Sequence, residues 1–308
     1  MKKIVLFIIM IGFYFFASAQ DKIFDFLTPG KYQVGLKVVQ TYDYSRTFCP
    51  KIIENGVMKN NARPMQILVW YPSTENGEKI AYKDYITLGL SEIDFTPISN
   101  EQKNRIIEMH KRNFLRRGAD SASMTNVINR ECFSAFNSTP AEGNFPLIIY
   151  SPGGNERCYE NFILAEYLSS NGYIVASAAL TGSETQLMNF ELSDYELSVD
   201  DISFIISYMH NFPHVDNSKL GLIGFCYGSM INFMVANKNS NVDVLVDLFG
   251  ANNIEKNRNE VEDYRYMNLK NPKMAYLQLA GSPEERDSYF FENYLYGDAY
   301  QARFDNVS

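Results

Sequence analysis

Short apolar runs separated by polar, turn-rich stretches dominate the chain from Tyr32 onward. Residues 32–41 (YQVGLKVVQT) alternate loosely and are rich in Val, and residues 65–71 (MQILVWY) form a continuous apolar run closed by Pro72. Further runs follow at 146–150, 173–178, 220–225, 242–249 and 274–279, and residues 299–304 end the series. Runs of this length without polar alternation predict strands buried on both faces. Between them, residues 159–170 place Phe162, Ile163, Tyr167 and Leu168 at helical spacing and stop at Asn171-Gly172, a helix-ending pair. Residues 199–209 put Ile202, Ile205, Ile206 and Met209 on one face, with Asp200 and Asp201 expected in the first turn, where the helix dipole favours them. The second half therefore alternates strand and helix, which predicts an α/β fold: a mostly parallel central sheet with helices on both faces. Residues 81–143 break the rhythm. They are polar, carry Lys111-Arg112 and Arg116-Arg117, and have helical spacing over 100–115. So long a stretch exceeds a simple connection and predicts a helical insertion, a lid or wall over a site, within a single domain spanning 20–308.

Composition narrows the class. Hydrophobic residues make up 46% of the 308 and charged ones 21%, the proportions of a folded globular protein. Lys and Arg number 28 against 36 Asp and Glu, and no basic stripe occurs, which argues against a nucleic-acid partner. At the N-terminus Lys2 and Lys3 precede an apolar run over 4–16, and Ala17-Ser18-Ala19 follows. A charged start, a run too short to span a bilayer and a small-residue exit predict a secretory signal peptide cleaved after Ala19. The mature chain is thus expected to be periplasmic or extracellular, without a membrane span. The four cysteines, Cys49, Cys132, Cys158 and Cys226, share no C-x-x-C spacing, so no metal site is indicated. A Cys49–Cys132 pair is one of several possible connectivities. Cys49 and Cys132 read as small buried apolar residues.

Cys226 has a different context. Residues 219–229 read KLGLIGFCYGS: an apolar strand, then Gly224-x-Cys226-x-Gly228, then a helix-like run through Met230, Phe233 and Met234. This is the spacing of a nucleophile elbow with cysteine in the nucleophile's place. Glycines two residues either side allow neighbouring elements to approach a tight strand-to-helix turn. The turn aims the backbone N–H of Tyr227 at a developing oxyanion and sets the sulfur at the positive end of a helix, which favours thiolate. The alternative is a small buried cysteine in an ordinary connection. Upstream, Ser151-Pro-Gly-Gly-Asn155 follows a strand and precedes a helix. Its glycines can turn a backbone N–H into a cavity, and Gly154 is the expected second oxyanion donor; a plain glycine turn is the alternative.

With the glycine loop at 151–155 and the elbow at 224–228, the order of elements resembles the α/β-hydrolase fold. Both motifs resemble those of the platelet-activating factor acetylhydrolase and dienelactone hydrolase branches, and cysteine at the elbow is the dienelactone hydrolase habit. The resemblance covers about residues 30–308 and is weakest across the insertion. It implies hydrolysis of a small-molecule carboxylic ester or related acyl bond through an acyl-enzyme, with neither metal nor cofactor. It also implies an acid and then a histidine after the nucleophile. Asp247 stands where the acetylhydrolase branch keeps its acid, while Glu284 and Asp287 stand where the dienelactone branch does. The histidines are His110, His210 and His214, and none follows Cys226. His210 and His214 precede the strand that Cys226 follows, and six residues of strand put them roughly 20 Å away. The sequence ends at Ser308 where the resembled families would soon show their histidine. Truncation before that residue is the expectation, with an inactive binding protein of the same fold as the alternative.

Overall fold

The computed structural model describes residues 27–48, 62–74, 77–250, 255–268, 273–280, 294 and 297–304. The leader, Cys49, Glu284 and Asp287 lie outside them. In chain order the strands are β1 (Gln33–Thr47), β2 (Ala62–Ser73), β3 (Glu78–Ala81), β4 (Glu131–Phe136), β5 (Phe145–Ser151), β6 (Ile174–Ser177), β7 (Val215–Phe225), β8 (Val244–Leu248), β9 (Ala275–Ala280) and β10 (Ala299–Arg303). The helices are α1 (Tyr82–Leu88), α2 (Asn100–Arg116), α3 (Ser121–Asn129), α4 (Phe162–Ser170), α5 (Leu192–Met209), α6 (Tyr227–Lys238) and α7 (Glu255–Glu262). Among the described residues the strands form one sheet in the order β10-β9-β8-β7-β5-β6-β2-β1-β4-β3. From β6 to β10 every pairing is parallel, while β2 runs antiparallel to both β1 and β6. The parallel steps from β5 to β6, β6 to β7, β7 to β8 and β8 to β9 each cross over through a helix, as the alternation along the chain requires. Among the described residues no helix is long and apolar enough to cross a membrane.

The strands carry apolar residues at consecutive positions because both sheet faces are covered. Leu147, Ile149, Leu222 and Leu245 face Ile206 of α5 and Met230, Phe233 and Met234 of α6. Ile148, Tyr150 and Val175 face Phe162 and Ala165 of α4. Alternate residues of one strand thus enter opposite cores.

Two expectations are corrected. Helix α5 starts at Leu192, so Asp194 lies in its first turn, and Asp200 and Asp201 fall in mid-helix. Asp201 is buried and accepts from Arg63 of β2, Nε at 2.8 Å and Nη2 at 2.5 Å, and Arg46 Nη2 of β1 lies 2.8 Å away. The two arginines, not the helix dipole, account for that aspartate. The stretch 81–143 is not wholly helical: β4 pairs with β1 and β3 and widens the sheet at its edge. Its helices close a small core of Ile86, Met124 and Ile128. The loop between α1 and α2 reaches the glycine loop, through Glu92, Gly89 and Arg157, so this segment forms a flank there.

Candidate active site

Strand β7 ends at Phe225 and α6 begins at Tyr227, leaving Cys226 alone to make the turn. Its backbone sits at φ 51°, ψ −118°, a conformation that costs a residue bearing a Cβ on the order of 1–3 kcal/mol. Several bonds hold it there. Cys226 N–H donates to the Leu248 carbonyl of β8 at 3.1 Å, and Ser229 N–H donates to the Cys226 carbonyl at 3.2 Å. Ser229 Oγ donates to the Gly224 carbonyl at 2.5 Å and accepts from Leu248 N–H at 3.2 Å. One hydroxyl thereby locks the strand end, the helix start and β8 together. A Cβ on Gly224 would strike the backbone of Gly228 and Ser229, and one on Gly228 would strike the carbonyl oxygens of Ser151 and Pro152. The elbow therefore rests directly on the end of β5.

That contact brings the glycine loop to the elbow. Gly153 N–H is committed to Glu160 Oε2 at 3.0 Å, an oxygen that also accepts from Tyr150 O–H at 2.9 Å. Burial pushes the Glu160 carboxyl up, against the pull of these two donors. Gly154 is left as the loop's candidate donor. A Cβ built on it would stand 3.2 Å from Tyr227 Cδ2 and 3.1 Å from Phe190 Cζ, so the two residues expected to supply oxyanion amides lie side by side. The Tyr227 amide opens α6 and has no acceptor within the helix. Phe190 packs on Tyr227 with ring centroids 4.6 Å apart and planes tilted by 42°, and it covers Gly154. Neither Glu160 nor Phe190 is marked by a sequence motif; only the three-dimensional approach of residues 150–160 and 190 to the elbow picks them out.

Asp247 lies on β8 with Gly224 as its cross-strand partner. Its carboxylate is fully buried and accepts from Tyr276 O–H at 3.0 Å and Gln278 Nε2 at 3.4 Å, both from β9. Desolvation raises its pKa, although these donors oppose the shift. The histidines lie elsewhere. His110 meets the rings of Tyr82 and Phe114 inside the 81–143 segment. His210 ends α5, and His214 places Nδ1 2.9 Å from the Gly143 carbonyl. Both precede the first residue of β7, and that 11-residue strand separates them from Cys226 by on the order of 30 Å. Cys132, Cys158 and Cys226 form no disulfide. Burial pushes the thiols of Cys132 and Cys158 well up, which makes them poor nucleophiles. Among the described residues no group of three or more His, Cys, Asp or Glu side chains is placed to hold a metal ion.

A strained residue at a strand-to-helix junction on a parallel sheet, faced by a glycine loop, defines the α/β-hydrolase fold. Residues 157–274 match the model of the dienelactone hydrolase family, a span containing the elbow and β8. Among solved structures the chain is similar to the ferulic acid esterase from Streptomyces cinnamoneus, at 16% identity and a TM-score of 0.58, over 90% of this chain and 75% of that one. It also matches the dienelactone hydrolase from Anabaena variabilis at 16% identity and a TM-score of 0.42, over 54% of this chain and 77% of that one. No curated protein matches it in sequence. The chain is an α/β-hydrolase-fold protein whose elbow-bearing segment resembles the dienelactone hydrolase family.

Proposed function

We propose that the protein is an exported hydrolase of carboxylic esters or related acyl bonds, with Cys226 as nucleophile. One observation carries this: Cys226 is held at positive φ between β7 and α6, with Tyr227 and Gly154 adjacent. In the reaction the Cys226 sulfur attacks the carbonyl carbon and forms the C–S bond. The carbonyl electron pair moves to oxygen, where the amides of Tyr227 and Gly154 receive the charge. Collapse breaks the bond to the leaving alkoxide, which takes up a proton, and water then cleaves the thioester to acid and thiol. The positive end of α6 favours thiolate at the start. Asp247 is the acid, the group on which a histidine base would dock. Glu284 and Asp287, outside the described residues, are its rivals. Phe190 and Tyr227 supply an apolar wall beside the reacting atoms, in keeping with a small acyl group. The basic start, apolar run and Ala17-Ser18-Ala19 exit support export.

Purified protein incubated with 4-nitrophenyl acetate is expected to release 4-nitrophenolate and to carry an acetyl group on the Cys226 peptide. Cys226→Ala abolishes both. An inactive binding role is favoured by a different observation: His210 and His214 lie at the far end of β7 from Cys226, and His110 is engaged with the rings of Tyr82 and Phe114. That role predicts no acyl-cysteine with any ester and ligand binding that survives Cys226→Ala.

A further inference from the structure

We propose that Glu92, from the loop between α1 and α2, is a positioning residue for the oxyanion side of the site. This rests on the acyl-transfer function above and assigns that function a determinant outside the segment that matches the dienelactone hydrolase family.

Glu92 is 3% exposed, and both its oxygens are engaged. Oε1 accepts from Cys158 N–H at 2.8 Å; Oε2 accepts from Arg157 Nη1 at 2.8 Å and from Gln186 Nε2 at 2.6 Å. The donors belong to two segments distant in sequence, and each leads to an oxyanion residue. Arg157 and Cys158 directly follow the turn that starts at Gly153, which Glu156 N–H closes by donating to the Gly153 carbonyl at 3.1 Å. Gln186 lies two residues before Met188, whose N–H donates to Asn155 Oδ1 at 2.7 Å. Asn155, beside Gly154, adopts φ 65°. Phe190, two residues beyond Met188, covers Gly154 and packs on Tyr227. The contacts form a closed ring from Glu92 through 157–158 and 155 to 188 and back through Gln186, and Phe190 carries it to the Gly154–Tyr227 pair.

The carboxylate is itself anchored to the sheet. Neighbouring Ser91 donates from Oγ to Gln66 Oε1 at 2.7 Å, and Gln66 Nε2 donates to the Leu88 carbonyl at 2.8 Å. Gln66 belongs to β2. A rigid strand thus fixes the loop, and the loop fixes two mobile-by-nature connections against each other. A buried carboxylate is tolerable only because Arg157 and two further donors compensate it. Losing it frees both connections at once, and small displacements of oxyanion donors are costly to acyl transfer.

Two reactions of the same sulfur separate this role from general damage. Acetylation by 4-nitrophenyl acetate forms the S–C(acyl) bond, expels 4-nitrophenolate and passes through an oxyanion. Alkylation by iodoacetamide forms an S–C bond at a saturated carbon, expels iodide and develops no oxyanion. Rates of both are measured on the Cys226 peptide by mass spectrometry for native protein, Glu92→Ala, Glu92→Gln and Arg157→Ala. Glu92→Ala is expected to slow acetylation on the order of 10–100-fold with alkylation unchanged. Glu92→Gln, which can still accept from Cys158 N–H, recovers part of the loss. Equal acetylation in native and Glu92→Ala, or a parallel fall in both reactions, overturns the proposal. If Glu92→Ala does not fold by circular dichroism, Glu92→Gln and Arg157→Ala decide by the same comparison. Native protein that is alkylated but never acetylated refutes acyl transfer itself, and the role of Glu92 with it.

Discussion

Replacing Cys226 by glycine separates the backbone geometry of the elbow from its chemistry. Cysteine holds φ 51° and ψ −118° there. Relief of that conformation is worth on the order of 1–3 kcal/mol. Glycine gives back about 0.5–1 kcal/mol through the greater freedom of its unfolded chain. The useful reference is Cys226→Ala, which keeps the Cβ and its strain but lacks the sulfur, so lost sulfur contacts cancel between the variants. Cys226→Gly should then exceed Cys226→Ala in stability by about 1 kcal/mol, or about 2 °C in melting temperature for a chain of this size. Differential scanning calorimetry of the two proteins side by side measures the difference, and both should be inert toward 4-nitrophenyl acetate. At an ordinary helix start the sign reverses, because glycine then brings only its entropic penalty. A glycine variant that melts below the alanine variant would show that Cys226 is not strained, and the nucleophile assignment would lose its geometric support.

Other perturbations test the neighbouring parts. Gly228→Ala drives a Cβ into the carbonyl oxygens of Ser151 and Pro152, backbone atoms that cannot swing aside; a loss of about 1–3 kcal/mol in urea unfolding is expected, together with slower acetylation, and native-like behaviour in both would refute the packing of elbow on β5. Asp247 has a pKa raised above 3.8 by burial, so the folded state binds its proton more tightly than the unfolded chain and stability falls as pH rises from 3.8 through the folded value. Asp247→Asn should accordingly melt above native protein at pH 7, with the gap closing as pH falls towards 3.8; a gap independent of pH argues that the carboxyl is not desolvated. Arg63→Ala strips a buried charge partner from Asp201 and should cost about 3–5 kcal/mol by chemical denaturation, a far smaller loss indicating that Arg46 alone suffices. Added imidazole should speed turnover of the acetylated protein relative to Cys226→Ala with the same ester, since His210 and His214 lie at the far end of β7 from Cys226 and His110 packs on Tyr82 and Phe114; an unchanged rate would mean that deacylation is not limited by a base.

The parts of this molecule that were legible in the sequence are those whose cause is local. Leu222 and Ile223 are apolar in succession because helices cover both faces of β7, and that shows as an uninterrupted run. Gly224 and Gly228 flank Cys226 at fixed spacing, so the elbow can be read before any contact is known. The start of α5 departs from the sequence pattern for the opposite reason. Asp200 and Asp201 resemble first-turn residues, yet Asp201 answers to Arg63 and Arg46, more than 130 positions upstream. β4 leaves no pattern to read because ECFSAF has neither a continuous apolar run nor strict alternation; its strand character comes from pairing with β1 and β3 at the sheet edge.

The same division runs through the site itself. The proposed nucleophile and the two oxyanion candidates, Cys226, Tyr227 and Gly154, sit in motifs whose spacing announces them, because the turn's own geometry demands it. What holds them in register does not announce itself: Ser229 reaching β8, Glu160 taking the Gly153 amide, Phe190 closing over Gly154, Glu92 joining two connections. Each is an ordinary polar or aromatic residue whose importance comes from a partner brought near only by the fold. A glycine loop of the same sequence without Glu160 would leave the Gly153 amide to compete with Gly154 for the oxyanion, and the donor geometry would be undefined. On the function proposed above, acyl transfer at this elbow depends as much on carboxylates outside the motifs, Glu160 and Glu92, as on the motifs' own residues.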